Sequence, residues 1–300
     1  MTNRSDQLAA AYSRARPRLI RVAYAVLGRQ VEAQDVVSEC WLRLTDADAL
    51  EPVLDVEGWS TVVVARRALD VLRSARVRRE SYVGPWLPEP FVERSTTHAA
   101  LNADPADRIT LDETVGFALL VVLETLTPAE RTAWVLHDLF GMPFAEVSAA
   151  VGRTPAAVRQ LAARARKHVA AGYTRVEVDP TLHHATVAAF TRATTAGDLA
   201  GLIAVLDPEV TLTSDGGGQV NAARRPVLGA DRVARFLVGL ARTASPGQRT
   251  EQLIVNGAPG LAILRDDELI LVVSLTVQNA LVQRVDLVLA PDKIAHITVA

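Results

Sequence analysis

The stretch PFAEVSAAVGRTPAAVRQLAARARKHVA, residues 143–170, decides how the middle of the chain folds. It predicts a short helix over 143–150, a turn at Gly152 and a second helix that begins at Thr154 and Pro155. Thr is a good N-cap, and Pro suits the first helical position. The second helix has one apolar face, formed by Val158, Leu161, Ala162, Ala165 and Val169. This pattern predicts a helix-turn-helix.

The opposite face of the second helix carries basic and amide side chains. At 100° per residue it gathers Arg159, Gln160, Ala163, Arg166 and Lys167. Arg and Gln can read base edges in a major groove, and the other basic groups can bind phosphate. An ordinary helical hairpin is the alternative. The glycine turn, the Thr-Pro start and five basic residues against one acid over 141–172 favour DNA binding.

A second basic cluster lies upstream at 66–79, RRALDVLRSARVRR, with six arginines and one acid. The whole chain is nearly neutral, with 32 basic and 34 acidic residues among 300. Two basic clusters on such a chain indicate phosphate binding at two places, although solvated helix faces are the alternative. Trp59, just before the cluster, is a candidate for stacking on single-stranded bases or for the core.

Composition excludes several classes of protein. A single cysteine, Cys40, excludes an internal disulfide framework and a Cys-rich zinc site. Neither a signal peptide nor an apolar run long enough to cross a membrane is found in the sequence. We therefore expect a soluble, cytoplasmic protein.

The regions outside the helix-turn-helix predict three domains. Residues 6–80 and 108–172 have helical periodicity, and the proline-rich stretch between them, 83–107, predicts an extended linker. The sequence pattern changes after residue 180, where strand-like runs appear beside helical ones. Helices are predicted over 181–206 and 230–242, and strands over 251–255, 260–264, 268–277, 280–289 and 294–300, with a hairpin turn at Gln278–Asn279. The fold class is thus multidomain: two all-α domains and then an α+β domain.

Three segments in order, DVVSECWLRL (35–44), GW…ARRALDVLRSARVRRE (58–80) and TPAERTAW…RKHV (127–169), resemble extracytoplasmic-function (ECF) sigma factors of bacterial RNA polymerase. The resemblance covers both helical domains. It implies that 1–85 is sigma region 2, which binds core polymerase and opens the −10 element. It implies that 108–172 is sigma region 4, which reads the −35 element. The implied partners are core RNA polymerase, duplex promoter DNA and the opened non-template strand, with no membrane.

The resemblance also assigns roles to particular residues. The contact with core polymerase is assigned to Asp35, Glu39 and Arg43, which share a helix face with Glu32. The −10 segment is assigned to Arg66, Arg67, Asp70, Arg73, Arg76 and Arg79, to which Trp59 is added. The −35 helix and its flank are assigned to Arg153, Thr154, Arg159, Gln160, Arg164 and Lys167.

Residues 181–300, joined to the helix-turn-helix by 173–180, resemble the SnoaL-like (NTF2-like) cone. Three motifs match those of sigma factors that carry this extension: WLPEP (86–90) in the 86–107 linker, DGGG (215–218) and APDKI (290–294), with Ala290 where Asn is usual. The implied role is regulation in cis, without a dedicated anti-sigma factor. A plain hairpin turn is the alternative for the glycines. The residues assigned to this role are Trp86, Pro88, Asp215, Gly216, Gly217, Gly218, Asp292 and Lys293.

The cone also raises an alternative function, because some cones of this fold are enzymes that use a pocket carboxylate as base. Asp215, Asp286, His183 and His184 are the candidates, but their spacing fixes no catalytic pair. The adjacent histidines point about 100° apart on a helix and form no natural metal pair. We expect no catalysis, no cofactor and no metal. The alternatives are an enzyme or small-ligand sensor fused to a DNA-binding module, and a repressor-type regulator that works without polymerase.

Overall fold

The computed structural model describes residues 4–79, 84–94, 115–172 and 180–297. Two compact units divide the chain: Met1–Ser81 with Leu119–Tyr173, and Tyr82–Ala118 with Thr174–Ala300. The segment that begins the linker therefore belongs to the same unit as the C-terminal domain. Within the described ranges, helices long and apolar enough to cross a membrane are absent.

The first unit begins with three long helices: α1 (Arg4–Leu27), α2 (Gln30–Leu50) and α3 (Val56–Arg79). Their mutual packing buries the apolar face predicted for α2, which is formed by Val36, Val37, Cys40 and Leu44. The buried Tyr12 hydroxyl of α1 donates a hydrogen bond to the Val37 carbonyl oxygen at 2.5 Å. This bond satisfies the only polar atom of a side chain that otherwise contributes apolar surface to the core.

The second part of the first unit contains the predicted helix-turn-helix. Its elements are α4 (Phe117–Leu123, which begins in the second unit), α5 (Pro128–Trp134), a π-helical turn (Val135–Leu139), α6 (Phe144–Val151) and α7 (Pro155–Gly172). Gly152 ends α6 in the left-handed conformation with φ 70°, which glycine adopts without steric cost. The Thr154 Oγ1 accepts a hydrogen bond from the Ala157 N–H at 3.3 Å. The predicted N-cap is therefore confirmed.

The second unit is built on one seven-stranded sheet in the order β1-β4-β5-β6-β7-β2-β3. Its strands are β1 (Val92–Arg94), β2 (Leu206–Asp215), β3 (Val227–Leu228), β4 (Gln248–Val255), β5 (Ala258–Arg265), β6 (Glu268–Gln278) and β7 (Leu281–Val288). Its helices are α8 (Pro180–Ala196), α9 (Leu199–Val205), α10 (Ala230–Arg242) and α11 (Pro291–Ile294). Strands β2 and β7 pair in parallel, and the other neighbouring strands of the described residues pair antiparallel.

The main core of this unit lies between helices α8–α10 and one face of the sheet. Phe190 and Leu237 from the helices join Leu212 and Leu287 from the strands in one buried cluster. Side chains alternate between the faces of a strand, so Asp215 on β2 points away from that core, to the opposite face. The linker binds Asp215 on that opposite face, as described below.

The predicted fold class is confirmed, with two local corrections. The β6–β7 hairpin turns at Asn279 and Ala280, with φ of 51° and 59°, one residue later than predicted. The strand predicted from residue 294 is wrong as far as 297, because Pro291 starts the helical turn α11 instead; residues 298–300 lie outside the described ranges. The linker is irregular over 84–91 and then adds the unpredicted strand β1, while 95–107 is not described.

Candidate nucleic-acid and linker-binding sites

The exposed face of α7 combines free and paired basic groups. Arg164 pairs with Glu130 of α5 at 2.8 Å, and the guanidinium of Arg159 lies 5.4 Å from the centroid of the Phe144 ring. Burial raises the pKa of Glu130, but hydrogen bonds from Thr127 and Arg164 outweigh it and hold that pKa below its ordinary value. The predicted −35 residues are all exposed on the same module: Arg153, Thr154, Arg159, Gln160, Arg164 and Lys167.

Two of these basic side chains are available to phosphate. Arg153 and Lys167 are exposed, and neither forms an ion pair within the described ranges. Arg166, which the sequence placed on the same face, instead pairs with Asp138 of the π-helical turn. The basic residues in and beside α7 are thus of two kinds: Arg153 and Lys167 have no acidic partner within the described ranges, whereas Arg166 has one.

Glu39 on α2 connects the predicted polymerase-binding and −10 sets. It accepts hydrogen bonds from Arg43 at 2.7 Å and from Arg67 of α3 at 2.8 Å. The contact with Arg67, followed by that with Arg43, lowers the pKa of Glu39. Asp35 is exposed, so the predicted polymerase-binding face is open to solvent.

The remaining −10 residues lie along α3. Arg66 is exposed, and Asp70 pairs weakly with Arg73 at 3.4 Å. Trp59 is half-buried, between the exposed and core placements considered for it. Arg76 and Arg79 lie in α3, but their side chains are outside the described part of the structure.

The N-terminal helices and the helix-turn-helix pack against each other within the first unit. Val22, Ala65 and Leu69 share one buried cluster with Leu136 and Val147. Across the same contact, the buried Arg131 donates from Nε to the Ala25 carbonyl oxygen at 3.1 Å. Within its own module, Arg131 donates from Nη1 to Glu124 at 2.6 Å. Arg18 donates to the Phe140 carbonyl oxygen at 3.2 Å. The two modules that carry the predicted DNA-binding residues therefore pack directly against each other.

A second site, which we call the linker clamp, joins the WLPEP segment to the C-terminal domain through Asp215, Lys293, Asn256 and Glu89. Asp215 and Lys293 are both fully buried, and their charged groups are 2.5 Å apart. The Asp215 carboxylate accepts a hydrogen bond from the Leu87 N–H at 2.8 Å, and the Lys293 ammonium donates to the Leu87 carbonyl oxygen at 2.5 Å. One buried ion pair thus binds both polar groups of a single linker residue.

Two further predicted residues complete this part of the clamp. The Lys293 Nζ lies 3.3 Å from the centroid of the Trp86 ring, a cation–π contact. The other oxygen of Asp215 accepts a hydrogen bond from the Gly217 N–H at 2.9 Å, which holds the DGGG turn. Pro88 is buried next to Leu87.

The glycines of the turn are required by close approach. A Cβ on Gly216 would lie 2.1 Å from the Val220 carbonyl oxygen. A Cβ on Gly217, whose φ is +62°, would lie 2.9 Å from the Ala290 Cβ and 3.2 Å from an Asp292 oxygen. Gly218 also has a positive φ, 74°. The DGGG and APDKI motifs therefore meet at Gly217, where a side chain would push them apart, whereas a side chain at Gly216 would clash within the turn itself.

Sequence reasoning missed Asn256, Glu89 and His296. Asn256 exchanges backbone and side-chain hydrogen bonds with Phe91: its N–H donates to the Phe91 carbonyl at 2.8 Å, and its Oδ1 accepts from the Phe91 N–H at 3.0 Å. The fully buried Glu89 lies 3.0 Å from Nε2 of His296. Asn256, with φ 47°, has the sequence pattern of an ordinary turn residue. Glu89 was identifiable, because an acidic residue between two prolines, Pro88 and Pro90, is an unusual pattern that could have indicated a contact.

The candidate catalytic carboxylates are each held by other groups. Asp215 belongs to the clamp, and Asp286 is held by two hydrogen bonds from Arg284 at 2.9 and 2.7 Å. Burial raises the pKa of Asp286, and the Arg284 contact opposes this only in part. His183 is buried on α8 with its pKa lowered to about 4 by burial. Among the described residues, clusters of three or more His, Cys, Asp or Glu able to hold a metal are absent.

Comparison with known proteins decides the family. Residues 11–78 match Sigma-70 region 2, and residues 116–169 match Sigma-70, region 4. The chain is 43% identical over 249 residues to the ECF RNA polymerase sigma factor SigJ of Mycobacterium tuberculosis, covering 82% of this chain and 77% of that protein. The chain belongs to the ECF sigma factors. As a sigma factor, it acts with core RNA polymerase in promoter-specific transcription initiation.

The similarity extends through the C-terminal domain of this sigma factor. The probable ECF sigma factor SigI of the same species is 33% identical over 96% of this chain and 94% of its own. The crystal structure of M. tuberculosis SigJ superposes with a TM-score of 0.75 at 34% identity, covering 95% of this chain and 97% of that one. The α+β extension is therefore shared with relatives, and the helical modules α1–α3 and α4–α7 correspond to regions 2 and 4.

Proposed function

We propose that the C-terminal domain of this sigma factor regulates initiation in cis, by binding the chain that connects region 2 to region 4. The observation that carries the proposal is the buried Asp215–Lys293 pair, which bonds both backbone groups of Leu87. Taking two charges out of water is costly, so a buried pair adds little stability. Its value here is to hold one conformation of the linker.

A clamped linker limits how far regions 2 and 4 can separate. Four residues, 80–83, join α3 to the clamped segment, and seven, 173–179, join α7 to α8. An extended chain reaches at most about 3.6 Å per residue, so these connections span no more than about 18 and 29 Å. Both DNA-binding modules are thus on short tethers to the same domain.

Promoter geometry requires the two regions to separate. The −10 and −35 elements are named for positions that differ by about 25 base pairs, which is on the order of 85 Å along a duplex. Regions 2 and 4 contact each other in the first unit, and modules in contact do not span that distance. A tethered domain acts at high effective concentration. The clamp therefore favours the closed, inactive arrangement, and its release favours promoter binding.

The proposed domains and roles follow the sequence assignment. They are region 2 (1–85), linker (86–107), region 4 (108–172), a second linker (173–180) and the regulatory domain (181–300). We assign Asp35, Glu39 and Arg43 to core polymerase, and the arginine face of α3 to the −10 element. The −35 element is assigned to six exposed residues: Arg153, Thr154, Arg159, Gln160, Arg164 and Lys167. The regulatory domain does no catalysis and replaces an anti-sigma factor, and the protein works in the cytoplasm with polymerase and chromosome.

The test is transcription in vitro with core polymerase and full-length variants. Gly217→Val places a branched side chain at φ +62° and against Ala290, so it should open the clamp and raise promoter output at least threefold. Gly239→Ala is the matched control, because a Cβ there meets nothing within 4 Å. A chain ended at residue 175 should also exceed the full-length protein. Equal output from all four proteins would refute regulation in cis.

A further inference from the structure

A groove of about 650 Å³ lies in the C-terminal domain between α11 and the turn that joins β5 to β6. This volume is within the range of sites that hold small organic molecules, roughly 300–1,000 Å³. Aliphatic side chains form most of its wall, among them Val220, Leu264, Leu269 and Ile294. Val220 is 42% exposed. We call this feature the terminal groove.

Charges of both signs lie at its rim. Arg265, Asp267 and Glu268 line the groove. Asp267 is paired at 2.5 Å with Arg249, which also pairs with Glu251 at 2.9 Å. Arg265 and Glu268 are opposite neighbours across the β5–β6 pairing. An aliphatic wall whose rim carries both signs of charge fits an uncharged ligand better than an anion or a cation, whose charge would meet a like charge at the rim.

The terminal groove is built from both halves of the linker clamp. Val220 donates its N–H to the Gly216 carbonyl oxygen at 3.0 Å, so it is fixed to the DGGG turn. Pro291 and Ile294, on the other wall, belong to the helical turn that carries Lys293. A molecule in the groove contacts the two segments that hold Asp215 and Lys293 around Leu87.

We propose that the terminal groove is an effector site for an uncharged, mainly aliphatic small molecule, and that its occupancy tightens the linker clamp. A ligand that packs against both walls binds the clamped arrangement more strongly than the released one. By linkage it shifts the equilibrium toward the clamped state by the ratio of those affinities. The effect on transcription rests on the proposed function, but binding and clamping do not.

The test uses the full-length protein and 1-decanol as the probe, with decanoate and decylamine as charged probes of equal chain length. Calorimetry should show saturable binding of one 1-decanol per chain, at least fivefold tighter than either charged probe. Val220→Trp should fill the groove and weaken binding at least tenfold. Leu228→Trp, at a position 57% exposed and not lining the groove, should leave binding unchanged. Absence of saturable binding, equal binding by Val220→Trp or tighter binding of a charged probe would overturn the proposal.

Hydrogen exchange separates the two proposals. Saturating 1-decanol should slow exchange of the Leu87 and Phe91 amides, which donate to Asp215 and Asn256, at least threefold in the wild type and not in Val220→Trp. Binding without slower exchange would overturn the link to the clamp. Slower exchange with unchanged transcription would leave the site intact and refute the proposed function. A dimer that sedimentation detects and that Val220→Trp abolishes would overturn the small-molecule proposal, because the groove would then bind a second copy of the chain.

Discussion

The buried ion pair of the linker clamp is demanding, because both of its charged groups have been removed from water. Lys293 and Asp215 are each without exposed surface, and each uses its remaining bonding capacity on the linker or on the DGGG turn. Removing one partner leaves the other charge buried and unpaired, which is far more costly than losing an exposed pair. The stability of the clamp therefore depends on both residues together.

Lys293→Met should lower the free energy of unfolding of the C-terminal domain by about 3–5 kcal/mol, the usual cost of breaking a buried pair. Denaturant titration followed by hydrogen exchange at domain amides measures this. Arg235→Ala is the control: it removes an exposed pair with Asp231 and should change stability by less than about 0.5 kcal/mol. Equal effects of the two substitutions would contradict a buried, clamp-holding role for Lys293.

His183 should make the domain sensitive to mild acid. Its pKa falls from 6.5 to about 4 in the folded state because of burial, so folding favours the neutral ring. That stability is complete above pH 6.5 and is lost as the pH falls toward 4, by on the order of 3 kcal/mol. In His183→Gln, the unfolding free energy should depend less steeply on pH over this window than in the wild type. His184→Gln, at an exposed neighbour, should keep the wild-type slope.

At the scale of elements, α7 shows how one helix presents two kinds of basic group. Lys167 is exposed, without an ion pair in the described ranges, whereas Arg166 pairs with Asp138. A group that is already paired must give up its acid before it binds phosphate. The two neighbours therefore differ in what they contribute to DNA affinity.

Lys167→Ala should lower the slope of log affinity against log salt for −35 duplex DNA by about 0.9, the value for one phosphate contact. Arg166→Ala should change that slope by less than half as much. Fluorescence anisotropy at several salt concentrations measures both slopes. The same reduction in the two variants would show that the Asp138 pairing does not withhold Arg166 from the DNA.

The helix-turn-helix was predictable because its signals are local. Thr154 and Gly152 mark the ends of its helices, and the apolar face of α7 repeats at helical spacing, so nearby residues determine these elements. Strand β1 was not predictable: Val92–Arg94 follow three prolines, and their pairing partner β4 lies about 160 residues away. Strand character there comes from tertiary hydrogen bonds, which override local preference.

The site residues also divide into those that the sequence identifies locally and those that depend on tertiary contacts. Arginine and glycine positions were identifiable from charge and from motif, and the resemblance gave Lys293 and Asp215 their regulatory role. Their partners were not identifiable, because Glu39–Arg67 and Arg164–Glu130 join positions 28 and 34 residues apart. Such pairs form only when the helices pack, so sequence periodicity predicts which residues share a helix face but not which residues of another helix contact that face.

At the scale of the whole molecule, the decisive feature is the packing of region 2 on region 4. The contact is mainly apolar, through Val22, Leu69 and Leu136, with Arg131 and Arg18 bonding to backbone carbonyls. It includes α3, which carries the residues that we assign to the −10 element. On the proposed mechanism, promoter binding by both regions breaks this contact, and binding energy from polymerase and DNA offsets its loss.

Fluorescence transfer between dyes on Arg14→Cys and His168→Cys should follow this opening. Both positions are exposed, one in each region, and native Cys40 is buried and resists labelling. Transfer should be high in the free protein and should fall by more than half in the complex with core polymerase and promoter DNA. Unchanged transfer in a complex that makes RNA would show that the regions work while still packed together.

Strand β1 gives the release of the linker a further consequence. Its three residues occupy the outer edge of the sheet, where they pair with Leu253–Val255 of β4. When the linker leaves, these backbone groups become a bare edge, the kind of surface that recruits strands from other chains and starts aggregation. If the linker is released as proposed, the exposed edge of β4 therefore favours association with other chains unless polymerase or another strand covers it.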